Sequence, residues 1–90
     1  MLYMLVNRTR TNLSPEQYQE LGRLAQDFYD NIPEGIDVRG DWAANDRSRT
    51  FTLVETQDPS LLEQIEAPFR PYVDIETLEV TAVSGWRGPR

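Results

Sequence analysis

Ninety residues make one domain and leave no room for a second. Nine Lys and Arg stand against 15 Asp and Glu, and this charge of −6 excludes nucleic acid and anionic membrane as partners, because both need a basic footprint. The absence of Cys and His removes disulfides, thiolate nucleophiles, the commonest zinc and haem ligand and the usual general base near neutral pH.

No run approaches the roughly 20 apolar residues that a membrane helix needs, and Leu2 to Val6 is too short, and too poor in preceding basic residues, for a signal segment. The expectation is a cytoplasmic protein without metal or cofactor. A domain this small is marginal alone, and without a disulfide or metal, oligomerisation is the common remaining source of stability.

Residues 2–8 read as a strand with Leu2, Met4 and Val6 on one face and Tyr3 and Leu5 on the other. Both faces are apolar, as in a strand buried on two sides. Ser14-Pro15 opens a helix: Ser14 suits the N-cap, Pro15 the first turn, and Gln17 completes a capping box. Tyr18, Leu21, Ala25, Phe28 and Ile32 follow at helical spacing, widened by Leu24 and Tyr29. Gly22 interrupts this helix, either for a close backbone approach or as a tolerated cost. The segment from Asn31 to Gly35 ends it.

Residues 36–43 alternate, with Ile36, Val38, Gly40 and Trp42 on one side and Asp37, Arg39 and Asp41 on the other. Asn45-Asp46 is a hairpin turn, and residues 48–55 return. Centring the turn there sets Trp42 opposite Arg49, Gly40 opposite Phe51, Val38 opposite Leu53 and Ile36 opposite Glu55. Phe51 then covers Gly40. Asp58-Pro59 opens a second helix with Leu61, Leu62, Ile65 and Phe69 on its apolar face, ended by Pro68 or Pro71. Residues 72–83 form a last strand. Val73 and Ile75 have one parity, Leu78, Val80 and Ala82 the other, which calls for a bulge near Glu76-Thr77 or for two apolar faces in succession. Residues 84–90 are a tail with Trp86 as its anchor.

The order β-α-β-β-α-β with right-handed crossovers predicts an α+β, ferredoxin-like domain over residues 1–83, a four-stranded antiparallel sheet with helices on one face. The other face of the first strand is apolar too, so a second copy of the chain pairing sheet to sheet is the economical cover.

Met1 to Val6, Gly40-Asp41-Trp42-Ala43-Ala44, the run Phe51 to Glu55, the Asp58-Pro59 helix start, and Asp74-Ile75-Glu76 with Val80-Thr81 resemble a family labelled domain of unknown function 3303, in the dimeric α/β-barrel superfamily. Phe69 to Glu76 also resembles the end of muconolactone isomerase, another member of that superfamily. The resemblance implies a homodimer whose two sheets face each other as a barrel with helices outside. It also brings in cofactor-free monooxygenases, lactone isomerases and haem-binding enzymes. The haem branch generally uses a His ligand, which this chain lacks.

Four constellations are candidates for chemistry. Arg49 beside Trp42 is placed to stack on the indole and hold a carboxylate or enolate, unless it snorkels from a strand end over a core Trp42. Glu55, at the far end of that face, would shuttle a proton from an apolar pocket, or else sit solvated at a strand end. Asp37, Arg39 and Asp41 with Thr50 and Thr52 would line the lumen of the dimer or form a solvated face. Tyr72, Asp74 and Glu76, with Tyr3 on the first strand, would polarise a carbonyl or take a proton from carbon, or else make a polar strand face.

The sequence thus supports a small apolar or aromatic carbonyl-type molecule bound between sheet and helices, with Trp42, Arg49 and Tyr3 binding it and Glu55, Asp74 and Tyr72 in catalytic roles. A cofactor-free isomerase or monooxygenase fits that site. The competing reading is a non-catalytic oligomeric module without a cavity.

Overall fold

The computed structural model describes residues 1–83. The elements are β1 (Leu2–Thr9), α1 (Pro15–Asp30), β2 (Asp37–Ala43), β3 (Thr50–Glu55), α2 (Ser60–Glu66) and β4 (Val73–Val80), with a 3₁₀ turn at Ala67–Phe69. All pairings are antiparallel and the sheet order is β2-β3-β1-β4. This is the ferredoxin-like arrangement predicted. The tail, residues 84–90 with Trp86, lies outside the described residues.

The capping box forms as expected. Gln17 N–H donates to Ser14 Oγ at 3.1 Å, and Ser14 N–H donates to Gln17 Oε1 at 2.7 Å. After α1 the chain turns through Pro33–Ile36, where Ile36 N–H reaches the Pro33 carbonyl at 3.1 Å and Gly35 takes φ 91°. That positive φ suits glycine, and a Cβ there would lie 2.8 Å from Leu61 Cδ1. Before α2, Asp58 Oδ1 accepts from the Ser60 amide at 3.0 Å and from its hydroxyl at 2.7 Å. Pro68 stands inside the 3₁₀ turn that ends the helix.

The β2–β3 register differs from the predicted one in two steps. Asn45-Asp46 does occupy the turn, but the loop is longer. Arg47 N–H bonds the Ala44 carbonyl at 2.8 Å, Arg47 adopts φ 63°, and Ala44 pairs back to Arg49. The added residues move the register by two, so Trp42 faces Phe51 and Gly40 faces Leu53. A bulge between Val38 and Gly40 then moves it back by one, setting Val38 opposite Val54. A one-residue step reverses sides, so Val38 points one way and Gly40 and Trp42 the other. Gly40 is covered by Trp42, two residues along, rather than by Phe51: a Cβ at Gly40 would stand 2.8 Å from indole Cζ2. The β1–β4 register runs from Leu2↔Val80 to Thr9↔Val73 without a shift, so β4 has two apolar faces and no bulge.

Tyr3, Leu5 and Asn7 share their face with Val54, Thr52 and Thr50, and with Ile75 and Val73. This face meets the helices. Its core is Tyr3, Leu5, Ile36, Val54 and Leu62, packed by Val38, Leu61, Ile65 and Ile75. Each apolar side chain fully buried in such a cluster contributes about 1.5–3 kcal/mol. The core therefore gathers under α2, whereas α1 contributes no buried residue. Leu2, Met4, Val6, Trp42, Phe51, Leu53, Leu78 and Val80 form the opposite, open face. Trp42, Phe51 and Leu53 thus face away from the helices, contrary to a pocket that Trp42 lines: pairing with β1 sets Phe51 beside Val6 and Leu53 beside Met4, Trp42 follows Phe51, and the bulge leaves Val38 alone of its strand's apolar set on the helix side.

Candidate functional site: a cleft under the first helix

Because α1 stands off the sheet, a half-open cleft of about 270 Å³ separates them. Leu21, Ala25 and Phe28 of α1 form one apolar wall, and Leu5, Ile65, Phe69, Val73 and Ile75 line the rest. The polar lining is Asn7, Thr9, Tyr29, Asp41, Thr50, Thr52 and Glu66. No Arg or Lys lines the cleft among the described residues.

Most of the polar groups join in one chain of hydrogen bonds. Asn7 Nδ2 donates to Thr50 Oγ1 at 3.1 Å and to Thr52 Oγ1 at 3.2 Å. Thr52 donates to Asp41 Oδ1 at 3.2 Å, and Tyr29 Oη donates to Asp41 Oδ2. Strand positions fix four of these groups, because Asn7, Thr50, Thr52 and Asp41 lie on neighbouring registers of β1, β3 and β2. Tyr29 comes from the last turn of α1, its ring edge-on to Phe28 at a centroid distance of 5.1 Å. Burial, and then the bond to the Asp41 carboxylate, push the Tyr29 phenol up to about 12.

At the α2 end, Glu66 is only 5% exposed. Thr77 Oγ1 donates to it at 2.7 Å and Arg70 Nη2 at 3.0 Å, and Arg70 also reaches Glu63 at 2.7 Å. Arg70 thus serves two carboxylates, Glu63 and Glu66.

The six residues proposed from sequence are not brought together. Trp42 lies on the open face and is 53% exposed. Arg49 is in the loop end beside Ala44, out of register with Trp42 and not in the cleft. Glu55 shares the open face and pairs with Arg39, which also holds Asp37 at 2.7 Å. It lines a separate shallow depression with Gly35, Ile36, Asp37, Thr56 and Gln57. Asp74 pairs with Arg10 at 3.2 Å at the other end of the sheet. Tyr72 precedes β4, half-buried, with its backbone bonded to Arg10 and Phe69. Tyr3 faces the helices but is packed in the core, near the opposite end from Tyr72.

The polar patch expected on the dimer side is divided between the faces. Asp41, Thr50 and Thr52 line the cleft, while Arg39 pairs with both Asp37 and Glu55 beyond the bulge. Asn7 was missed, although its parity with Tyr3 and Leu5 marks the same face. Tyr29 was read only as a broadened helix stripe. Gly22 has no atom within 4 Å of an added Cβ, so it is tolerated rather than required. Among the described residues no group of three or more Asp and Glu is arranged to hold a metal ion. Nor is any helix among them long and apolar enough to cross a membrane.

Comparison with solved structures finds a similar fold in the SCO4226 protein of Streptomyces coelicolor A3(2), at a TM-score of 0.54 and 16% identity, covering 91% of this chain and 98% of that one. No curated protein matches, so the likeness to muconolactone isomerase rests on Phe69 to Glu76 alone. A family model described as Domain of unknown function (DUF3303) matches residues 1–87, and the chain belongs to that family.

Proposed function

We propose that this chain is a small-molecule binding protein that acts as a homodimer, holding an apolar ligand between α1 and the sheet. The cleft carries the reading. Its volume of about 270 Å³ equals roughly nine waters at about 30 Å³ each, which suits a single-ring molecule of about ten heavy atoms. An apolar wall with a few convergent polar groups is the usual make-up of a ligand site. The carbonyl end expected for the ligand has no Arg in the cleft to receive it. Tyr29 keeps its proton up to about pH 12 and Glu66 is engaged by Arg70 and Thr77, which favours holding a molecule over transferring its protons.

The open face supports the dimer. Leu2, Met4, Val6, Trp42, Phe51, Leu53, Leu78 and Val80 make a continuous apolar surface, and a surface of this kind marks an interaction site. A second copy offers the same surface, so the two sheets would close as a barrel with both clefts outside it.

Native mass spectrometry of the purified chain tests both parts. The expected result is a dimer carrying added small-molecule mass, lost in an Ala25→Phe variant that fills the cleft. A monomer in dilute sedimentation removes the dimer. A dimer that binds no small molecule in either form leaves a purely associative module and removes the cleft.

A further inference from the structure

The direction of each hydrogen bond in the cleft says what kind of polar end the ligand carries. A carboxylate only accepts, so the bond between Thr52 and Asp41 uses the single proton of Thr52. Thr52 must then accept from Asn7, which fixes the Asn7 amide with its nitrogen toward both threonines and spends both of its N–H groups. Tyr29 spends its proton on Asp41 as well. The donors of the cluster are thus consumed inside it, the Thr50 hydroxyl excepted. What remains for a ligand is mainly acceptors, the unused lone pairs of Asp41 and the oxygen of Asn7, beside the hydroxyls of Thr50 and Thr9.

Charge points the same way. Glu66 shares the Arg70 guanidinium with Glu63, whereas Asp41 forms no ion pair among the described residues. With no Lys or Arg in the lining, the cleft is net negative at Asp41 and apolar beneath it.

We propose that the cleft selects an amine with an aromatic or branched aliphatic body, its ammonium on Asp41 and its body between Phe28, Leu21 and Phe69. An ammonium supplies three donors to a site rich in acceptors, and its charge answers the Asp41 carboxylate, which has no cation of its own among the described residues. An anion of the same size is rejected, because the lining offers it no cation and sets it beside Asp41. The inference rests on the cleft as the binding site and adds the class of molecule.

The test uses three probes of equal size, 2-phenylethylamine, 2-phenylethanol and phenylacetate, titrated into the full chain and followed by amide NMR shifts. The expected result is that the amine binds at least about tenfold more tightly than the alcohol, with shifts at Leu21, Phe28 and Asp41, and the acid does not bind. In Asp41→Asn the preference for the amine disappears. In Asp37→Asn, which removes an exposed carboxylate outside the cleft lining, it persists. Alcohol or acid bound as tightly as the amine, or amine binding unchanged in Asp41→Asn, overturns the choice of ligand and leaves the cleft standing. If none of the probes shifts a cleft residue, the cleft reading falls and this inference with it.

Discussion

Val54 and Leu53 are sequence neighbours on opposite faces of the sheet, and truncating each in turn tests the facing directly. Val54 is fully buried, at 0% exposure, among Tyr3, Leu5, Ile36 and Leu62. Val54→Ala removes two methylene equivalents, about 1.6 kcal/mol of transfer free energy. The hole left behind adds to that, for a total of about 2–3 kcal/mol. For a domain of this size the melting temperature should fall by about 8–20 °C. Leu53 is only partly buried on the open face, so in a dilute monomer Leu53→Ala should cost about 1 kcal/mol, less than Val54→Ala. If a second copy covers that face, the cost of Leu53→Ala grows with protein concentration, because it then acts on the association equilibrium. Urea unfolding followed by circular dichroism, at about 1 μM and about 100 μM chain, reads both effects. Equal destabilisation by the two variants at the lower concentration would refute the facing argued here.

Gly22→Ala adds a Cβ into open space on a helix, so it should stabilise by about 0.5–1 kcal/mol and raise the melting temperature by a few degrees. Gly40→Ala should instead cost about 1–3 kcal/mol by driving the indole of Trp42 off the strand, seen as a red-shifted emission in a Trp86→Phe background. The Tyr29 phenol, raised to about 12 from an ordinary value of 10.0, should ionise late in an ultraviolet titration, and earlier in Asp41→Asn. Its folded value lies above its unfolded one, so its contribution is complete below pH 10 and is lost as the pH rises through 12. Wild type and Tyr29→Phe should therefore converge in stability over that interval.

The element order was legible because its signals are local. Ser14-Pro15 with Gln17, the break at Gly35, Asn45-Asp46 and Asp58-Pro59 each act within a few residues, and each marks its boundary in the structure. The facing of the sheet was not legible, and the reason is physical. Phe51 and Leu53 look more like core than Thr52 and Val54, yet the latter pair meets the helices. Both faces of β1 and β4 are apolar, so a period of two separates the faces without saying which is covered. The deciding events are the long-range pairing of β3 with β1, which sets Thr52 beside Leu5 and Val54 beside Tyr3, and a bulge beside Arg39 that separates Val38 from Trp42; neither leaves a local mark in the sequence. The site inherited that ambiguity. Asp41, Thr50 and Thr52 were read as one patch with Asp37 and Arg39 on the face away from the helices, whereas these three line the cleft, and Trp42 and Arg49 lie outside it.

The uneven seating of the two helices divides the molecule by opening energy. The sheet and α2 share the buried side chains, while α1 has none and is held through its caps and a half-covered stripe. Amide protons of α1 should exchange through local opening, well before those of β1 and β3, which wait for global unfolding. A ligand entering beneath α1 therefore displaces one helix at small cost while the remaining frame, with Asp41 and Thr52 fixed on it, keeps its shape.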